Sequence, residues 1–382
     1  MSARGLAGAS AAERRSKRLD GFRVTPWVHR CGRFVARHPE LWIRLGNLET
    51  RIRAADIEDI DIVKPVFVCG LARAGTTILL ETLARHPQLG SHRYRDDPFL
   101  FTPLFWNGFL ARLPKQRSAP AERAHADGIV VTADSPEAFE EVLWMAFFRG
   151  LHDPHSSDVL DGTVDHPAFE HFFRDHLRKL LWVRGRPRYL SKANYNVTRL
   201  EYLLKLFPDA RFVLPLREPA AHIASLMKQH RLFREGERRH PEALEHMRRI
   251  GHFEFGLDRR PINVGDGAMS GILQAFHDGE EVRGQALYWA SLHNWLADRL
   301  ESNPALRAAV RVVRFEDLCG RPCDTLAALF DHCDLPDSGT LIDEAAARMR
   351  MPTYYRAEFT EAERATIAEI AGPAAQRFGY LS

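Results

Sequence analysis

The residues whose types and spacing most clearly imply chemistry are Pro65-Val-Phe-Val-Cys-Gly-Leu-Ala-Arg-Ala-Gly-Thr-Thr-Ile-Leu-Leu80. Val66 to Cys69 form a short apolar run rich in β-branched side chains, which predicts a buried strand. Gly70 and Gly75 bracket a tight loop, and the residues from Thr76 onward predict a helix. The first N–H groups of a helix lack intrahelical partners and lie at the positive end of its dipole, so a strand, loop and helix in this order make a cradle for phosphate. Its anion-facing residues are Ala72, Arg73, Ala74, Gly75, Thr76 and Thr77. The spacing Gly70-x4-Gly75 matches a Walker A loop, but Thr76 stands where that motif has its Lys, and the only cation is Arg73, inside the loop. A Walker Lys serves the β- and γ-phosphates of a triphosphate. Its absence argues against ordinary ATP or GTP hydrolysis and towards a nucleotide with a shorter anionic tail.

Three further segments belong with this loop. In Ala210-Arg-Phe-Val-Leu-Pro-Leu-Arg-Glu-Pro-Ala-Ala-His-Ile-Ala-Ser-Leu226 a strand ends at Arg217, and Ser225 follows on the next predicted helix. Tyr189-Leu-Ser-Lys-Ala-Asn194 brings Lys192 to the end of another strand. Val310-Arg-Val-Val-Arg-Phe-Glu-Asp-Leu318 reads as a late strand with an acidic end. Taken together and in this order, the four segments resemble the sulfotransferases that use 3′-phosphoadenosine 5′-phosphosulfate (PAPS), in the bacterial type related to the tyrosylprotein and carbohydrate branch. The resemblance covers about two thirds of the chain. It implies that the loop with Arg73 holds the 5′-phosphosulfate and that Arg217 and Ser225 hold the 3′-phosphate. Such a donor is anionic at two ends of one nucleoside, so two separated anion holes suit it better than one triphosphate channel. Arg73 would hydrogen-bond the leaving group as negative charge builds there, and Arg217 would offer its planar fork to the 3′-phosphate. The alternatives are an ion pair of Arg217 with Glu218 and an ordinary helix position for Ser225. PAPS enters as co-substrate, with no metal.

The acceptor side is less defined. Sulfuryl transfer to a hydroxyl or amine needs in-line geometry and a base for the acceptor proton. Related enzymes place a Glu about twenty residues after the loop Arg; that place falls here on Ser91-His-Arg-Tyr-Arg-Asp-Asp-Pro98, where Tyr94 replaces the acid. His92, Asp96 and Asp97 are the nearby substitutes, and His92 and Asp97 join Arg73 and Lys192 as catalytic candidates. Lys192 would polarise the transferring sulfuryl oxygens, or else is an exposed strand-end Lys. His222 is placed on the adenosine side. The aromatic stretch Phe99 to Trp106 serves either an acceptor pocket or the core. The acceptor expected is a small molecule, carbohydrate or glycolipid.

Composition suits a water-soluble enzyme of 382 residues with net charge +3. There is no apolar run of membrane-spanning length, and the first twenty residues lack a signal-peptide core, so a cytoplasmic location is expected. Cys31, Cys69, Cys319, Cys323 and Cys333 form no paired set, which argues against a structural disulfide. His152-Asp-Pro-His155 imitates a metal site but reads as a surface loop. Residues 1 to 53 carry twelve Lys/Arg against four Asp/Glu. This basic region implies either peripheral contact with an anionic membrane or polyanionic acceptor, or a solubilising tail followed by amphipathic helices that pack through Trp27, Phe34, Leu41, Trp42, Leu45 and Leu48. No recognition motif accompanies it, so no nucleic-acid partner is expected.

Strands alternate with helices elsewhere. The expected fold class is α/β, a P-loop NTPase-like three-layer fold with a central parallel sheet and helices on both faces. Strands are predicted at Val66–Cys69, Arg188–Leu190, Arg211–Leu216 and Val310–Arg314. Helices are predicted at Thr76–Arg85, Pro136–Phe148, Thr198–Phe207, Pro219–Gln229, Gln285–Leu300 and Thr360–Ala371. In such sheets ligands sit beyond the carboxyl ends of the strands, where Arg73, Lys192 and Arg217 all fall. The expected organisation is a basic arm with helices over 1–60 and a sulfotransferase domain over 61–382. Residues 231–283 are read as an insertion in that domain, either a lid over the acceptor or a solvated excursion.

Overall fold

The alternation of side chains along Val66 to Cys69 already specifies three layers. Val66 and Val68 pack with Leu79, Leu80 and Leu83 on one side of the sheet, while Phe67 and Cys69 pack with Phe212, Leu177 and Trp289 on the other. A strand buried on both faces reads as a continuous apolar run, as a parallel sheet requires. The computed structural model describes residues 11–114, 120–351 and 358–380. The first ten residues of the basic arm lie outside that range. The strands are β1 (Val66–Val68), β2 (Leu89–Gly90), β3 (Ala121–Glu122), β4 (Val130–Val131), β5 (Arg188–Lys192), β6 (Arg211–Leu216) and β7 (Val310–Arg314). Five of them form a parallel sheet in the order β2-β5-β1-β6-β7, while β3 and β4 make a separate antiparallel hairpin. Val68 is in register with Lys192 on one side and Val213 on the other. The chain therefore leaves β1 and β5 at one level, with Arg217 just past the end of β6, four residues beyond that level. This is the P-loop NTPase-like α/β architecture.

Several predicted elements differ in extent or in setting. The helix expected over Pro136–Phe148 spans only Glu141–Phe147. Residues before it are used in pairing instead: the Glu137 N–H donates to the His92 carbonyl at 3.0 Å, and Arg93 bridges to Pro136. The helix begun at Pro219 does not stop at Gln229 but continues to Arg239, into the segment read as an insertion. Gly236 within it is where Phe22 packs, so closely that a Cβ there would lie 2.5 Å from the ring. A further helix follows at Pro241–Ile250, and Phe255, Ile262, Val264 and Ile272 are buried, so the segment is no plain solvated excursion. His152 is likewise buried rather than on a surface loop; its Nε2 lies 2.7 Å from Glu141, whose carboxylate also receives both terminal nitrogens of Arg199.

The N-terminal helices Pro26–Arg37 and Pro39–Ile52 pack against the domain through fewer residues than their pattern suggests. Trp42 is buried, but Trp27, Phe34, Leu41 and Leu48 stay exposed. Docking rests instead on Gly46, where a Cβ would meet Phe172 at 2.7 Å, and on a fully buried ion pair between Glu49 and Lys179 at 3.1 Å. Lys179 also donates to the Gly46 carbonyl at 2.9 Å. Among the described residues no helix is long and apolar enough to cross a membrane.

Candidate active site

The loop after β1 turns through left-handed backbone at Gly70 (φ 125°), Arg73 (φ 74°) and Gly75 (φ 109°) before the helix Thr76–Leu83. Two of the three positions are Gly, which reaches that region at little cost; Arg73 does so against its Cβ, a strain typical of functional loops. Gly75 also admits Phe315, whose ring a Cβ would meet at 3.1 Å. The same ring lies 4.9 Å from the Arg217 guanidinium. Phe315 thus wedges between the first loop and the end of β6, and fixes one relative to the other. Behind the loop, His222 holds it from beneath: its Nε2–H donates to the Ala72 carbonyl at 2.8 Å, and Trp289 donates to its Nδ1 at 3.1 Å. Burial lowers the His222 pKa to about 3, so the ring is neutral, as that bonding pattern requires. His222 is a brace behind the phosphate loop, not a wall on the adenosine side.

The two predicted half-sites meet. Arg73 Nε approaches Ser225 Oγ at 3.4 Å, joining the loop after β1 to the helix after β6. Glu218, the alternative partner for Arg217, caps that helix, accepting from the N–H groups of Ala220 (2.9 Å) and Ala221 (2.7 Å). Arg73 NH1 also donates to Asp127 at 2.7 Å. Asp127 in turn accepts from Arg123, and Arg123 reaches the Thr77 hydroxyl at 3.1 Å. Burial alone would raise the Asp127 carboxyl, but the hydrogen bond and charge of Arg123, with Arg73 beside it, hold it well below the usual carboxylate range.

Beyond this cradle lies a cavity of about 430 Å³ whose wall includes Asp97, Arg123, His125, Glu137, Lys192 and Glu254. Its size suits a small ligand. Burial lowers the Lys192 pKa, against the opposing charges of Glu137 and Glu254 and with Arg123 and Arg73 adding to the fall. Asp97 responds in the opposite sense. Burial pushes its carboxyl up to about 7, and the Arg249 charge opposes this without overcoming it. A carboxylate poised near neutrality has the pKa a general base needs. His125 and His246 are driven down by burial, His246 to about 4, and so stay uncharged.

The structure does not bring His92 to this cavity. The ring is buried against the helix Pro167–Arg184, with Nε2 3.2 Å from Nε2 of His176 and Nδ1 3.6 Å from Asp96. Asp96 is tied to Arg184 and caps the Arg93 N–H at 2.8 Å. Of the sequence-predicted pair Asp96 and Asp97, it is Asp97 that lines the cavity. The sequence reading missed Arg123, His125, Asp127, Glu137 and Glu254. The first three sit on the β3–β4 hairpin, whose one local signal is the Asp127-Gly128 turn pair inside a polar, charged stretch.

Residues 65–258, just over half the chain, match the model of the sulfotransferase family, and the protein belongs to that family. It is therefore an enzyme of the sulfotransferase class. Among solved structures, the sulfotransferase STF9 from Mycobacterium avium superposes with TM-score 0.52 at 15% identity, over 88% of this chain and 82% of that one. STF1 from Mycobacterium tuberculosis H37Rv gives 0.45 at 16% identity, over 96% and 92% of the two chains. A sulfotransferase from Alicyclobacillus acidocaldarius gives 0.36 at 14% identity, over 83% and 94%. At these identities the likeness of the first concerns the fold. No functionally curated protein matches the chain.

Proposed function

We propose that the enzyme moves a sulfuryl group from PAPS to a hydroxyl of an acceptor held in the 430 Å³ cavity. The observation that carries this reading is the approach of Arg73 to Ser225, which brings the loop after β1 beside the helix after β6, where Arg217 would mark a second anion site at the carboxyl edge of the sheet. A triphosphate site has no use for that second hole. The residues fit the donor: the left-handed turn at Gly75 leads directly into the helix Thr76–Leu83, whose first N–H groups lack intrahelical partners, and Arg73 adds charge. Arg217 and Ser225 take the 3′-phosphate. Lys192 faces the transferring group, and Asp97 takes the acceptor proton. In the transfer a bond forms between the acceptor oxygen and sulfur, while the bond from sulfur to the bridging phosphate oxygen breaks with its electron pair remaining on the phosphate. Arg73 stabilises that growing charge.

The test is thermal stability in the presence of 3′-phosphoadenosine 5′-phosphate or ATP at equal concentration. A ligand at 100 times its dissociation constant adds about 2.7 kcal/mol to unfolding. The bisphosphate is expected to raise Tm and ATP to do little. Equal stabilisation by both would remove the case for two half-sites.

A further inference from the structure

The reaction cavity borders a second one. Asp97 and Ile250 belong to the walls of both, so the two spaces adjoin at the residue assigned to the acceptor proton. The second cavity, about 270 Å³, runs between the helix Pro26–Arg37, the segment after Asp97 and the helix Glu141–Phe147. Its lining is largely hydrocarbon: Val35, Ala36, Leu100, Phe101, Val142 and Met145 are among its walls. The charged side chains there are Asp97, Arg248 and Arg249. Arg248 is engaged with Asp258 at 2.6 Å, and Arg249 supplies the charge felt by Asp97. Apart from these groups the lining side chains are apolar and offer no hydrogen bonds to a sugar ring.

Resting on the sulfotransferase reading of Asp97, we propose that the acceptor is an amphiphilic alcohol, with its hydroxyl beside Asp97 and an aliphatic chain filling the second cavity. A carbohydrate would leave its hydroxyls unpaired against Val35, Leu100, Phe101 and Val142, which is costly for each one. An alkyl chain instead exchanges water for close-packed apolar walls. The arrangement also accounts for the raised Asp97 carboxyl. Hydrocarbon on one side of it removes water that would otherwise stabilise its charge, and an alkyl tail would complete that exclusion.

The experiment uses the whole enzyme with PAPS and the straight-chain alcohols butanol, hexanol, octanol, decanol and dodecanol. Burying one methylene improves binding by a factor of about four. The proposal therefore expects kcat/KM to climb steeply along the series and to level off once the cavity is full. Ala146→Phe and Val142→Phe, made separately and checked for unchanged Tm, place a ring in the space and are expected to move the levelling point to shorter chains. A flat series with measurable transfer overturns the tail and leaves the sulfotransferase reading intact. So does transfer to none of the alcohols when 3′-phosphoadenosine 5′-phosphate still raises Tm. If the bisphosphate does not stabilise the protein, the donor reading fails. Calorimetric binding of the same alcohols then judges the tail alone: chain-length-dependent affinity supports it, and equal or absent binding overturns it.

Discussion

Replacing Asp97 by Asn should make the enzyme both slower and more stable, a combination that few roles for a buried carboxylate predict. Burial raises the Asp97 carboxyl from 3.8 to about 7. A carboxyl with a raised pKa binds its proton more tightly folded than unfolded. Its unfavourable contribution is therefore absent below pH 3.8, grows as the pH rises between 3.8 and about 7, and is fully present above about 7. At about 1.4 kcal/mol for each pH unit, the gap between those two values sets a ceiling of about 4 kcal/mol at pH 8. Part of this is returned because Arg249 loses its partner charge, so a gain of about 1–2 kcal/mol and a rise of a few degrees in Tm is the reasonable expectation. At pH 5 the gain should shrink. Turnover moves the other way: losing a general base costs on the order of 10²–10⁴ in kcat. In the parent enzyme kcat/KM should rise tenfold per pH unit below about 7 and level off above it, a limb that Asp97→Asn should lack. The assay is sulfate transfer from labelled PAPS across pH, with calorimetric unfolding of both proteins at pH 5 and pH 8. Near-parental turnover with the acid limb preserved would refute the base assignment. A fall in Tm at pH 8 would refute the account of its environment.

The two cradle arginines should fail differently. Arg217→Ala should mainly raise the Kd for 3′-phosphoadenosine 5′-phosphate, because the 3′-phosphate is bound alike in ground and transition states, whereas Arg73→Ala should also lower kcat, on the order of 10²-fold. Parallel losses in affinity alone would remove the role given to Arg73. Lys179→Met leaves Glu49 buried with no counter-charge and should cost about 3–5 kcal/mol in urea unfolding at pH 8. Burial already raises the Glu49 pKa while Lys179 opposes it, so the loss should be smaller at pH 5, where Glu49 can take a proton; an equal loss at both pH values would contradict this. Turnover should persist in excess EDTA, since Thr76 stands where a triphosphate enzyme has its Lys. Abolition by EDTA with recovery on adding Mg²⁺ would point instead to a phosphotransferase.

The central strands were legible because burial on both faces leaves an unbroken apolar run, and β6 and β7 match their predicted limits. The loop after β1 was legible because its glycines, Gly70 and Gly75, are required by left-handed backbone geometry. What faces the cavity was not. His92 and Asp97 stand five residues apart in one loop, and only the fold shows the first turned to His176 and the second to the cavity. Sequence distance from Arg73 carried no information about facing. Arg123 and Asp127 escaped notice for another reason. Their hairpin consists of two-residue strands with little apolar patterning, so its position comes from contacts with Arg73 and Thr77 rather than from local propensity.

The two aspartates bracket the chemistry because the same burial acts on them with opposite results. Asp127 is desolvated, yet Arg123 and Arg73 more than offset this, so it stays charged throughout the useful pH range and orders the cations proposed to receive the donor. Asp97 is desolvated beside hydrocarbon, with Arg249 too weak a counterweight, so its proton is exchangeable near neutrality. Environments that push two like groups apart in pKa divide binding from proton transfer. Exchanging the two settings would fail at both ends: an Asp127 of pKa near 7 would release Arg73 in mild acid, and a permanently charged Asp97 would be too weak a base to take an alcohol proton. The apolar second cavity is therefore part of the catalytic argument as well as the specificity argument, since the walls that would hold an alkyl chain also keep Asp97 basic.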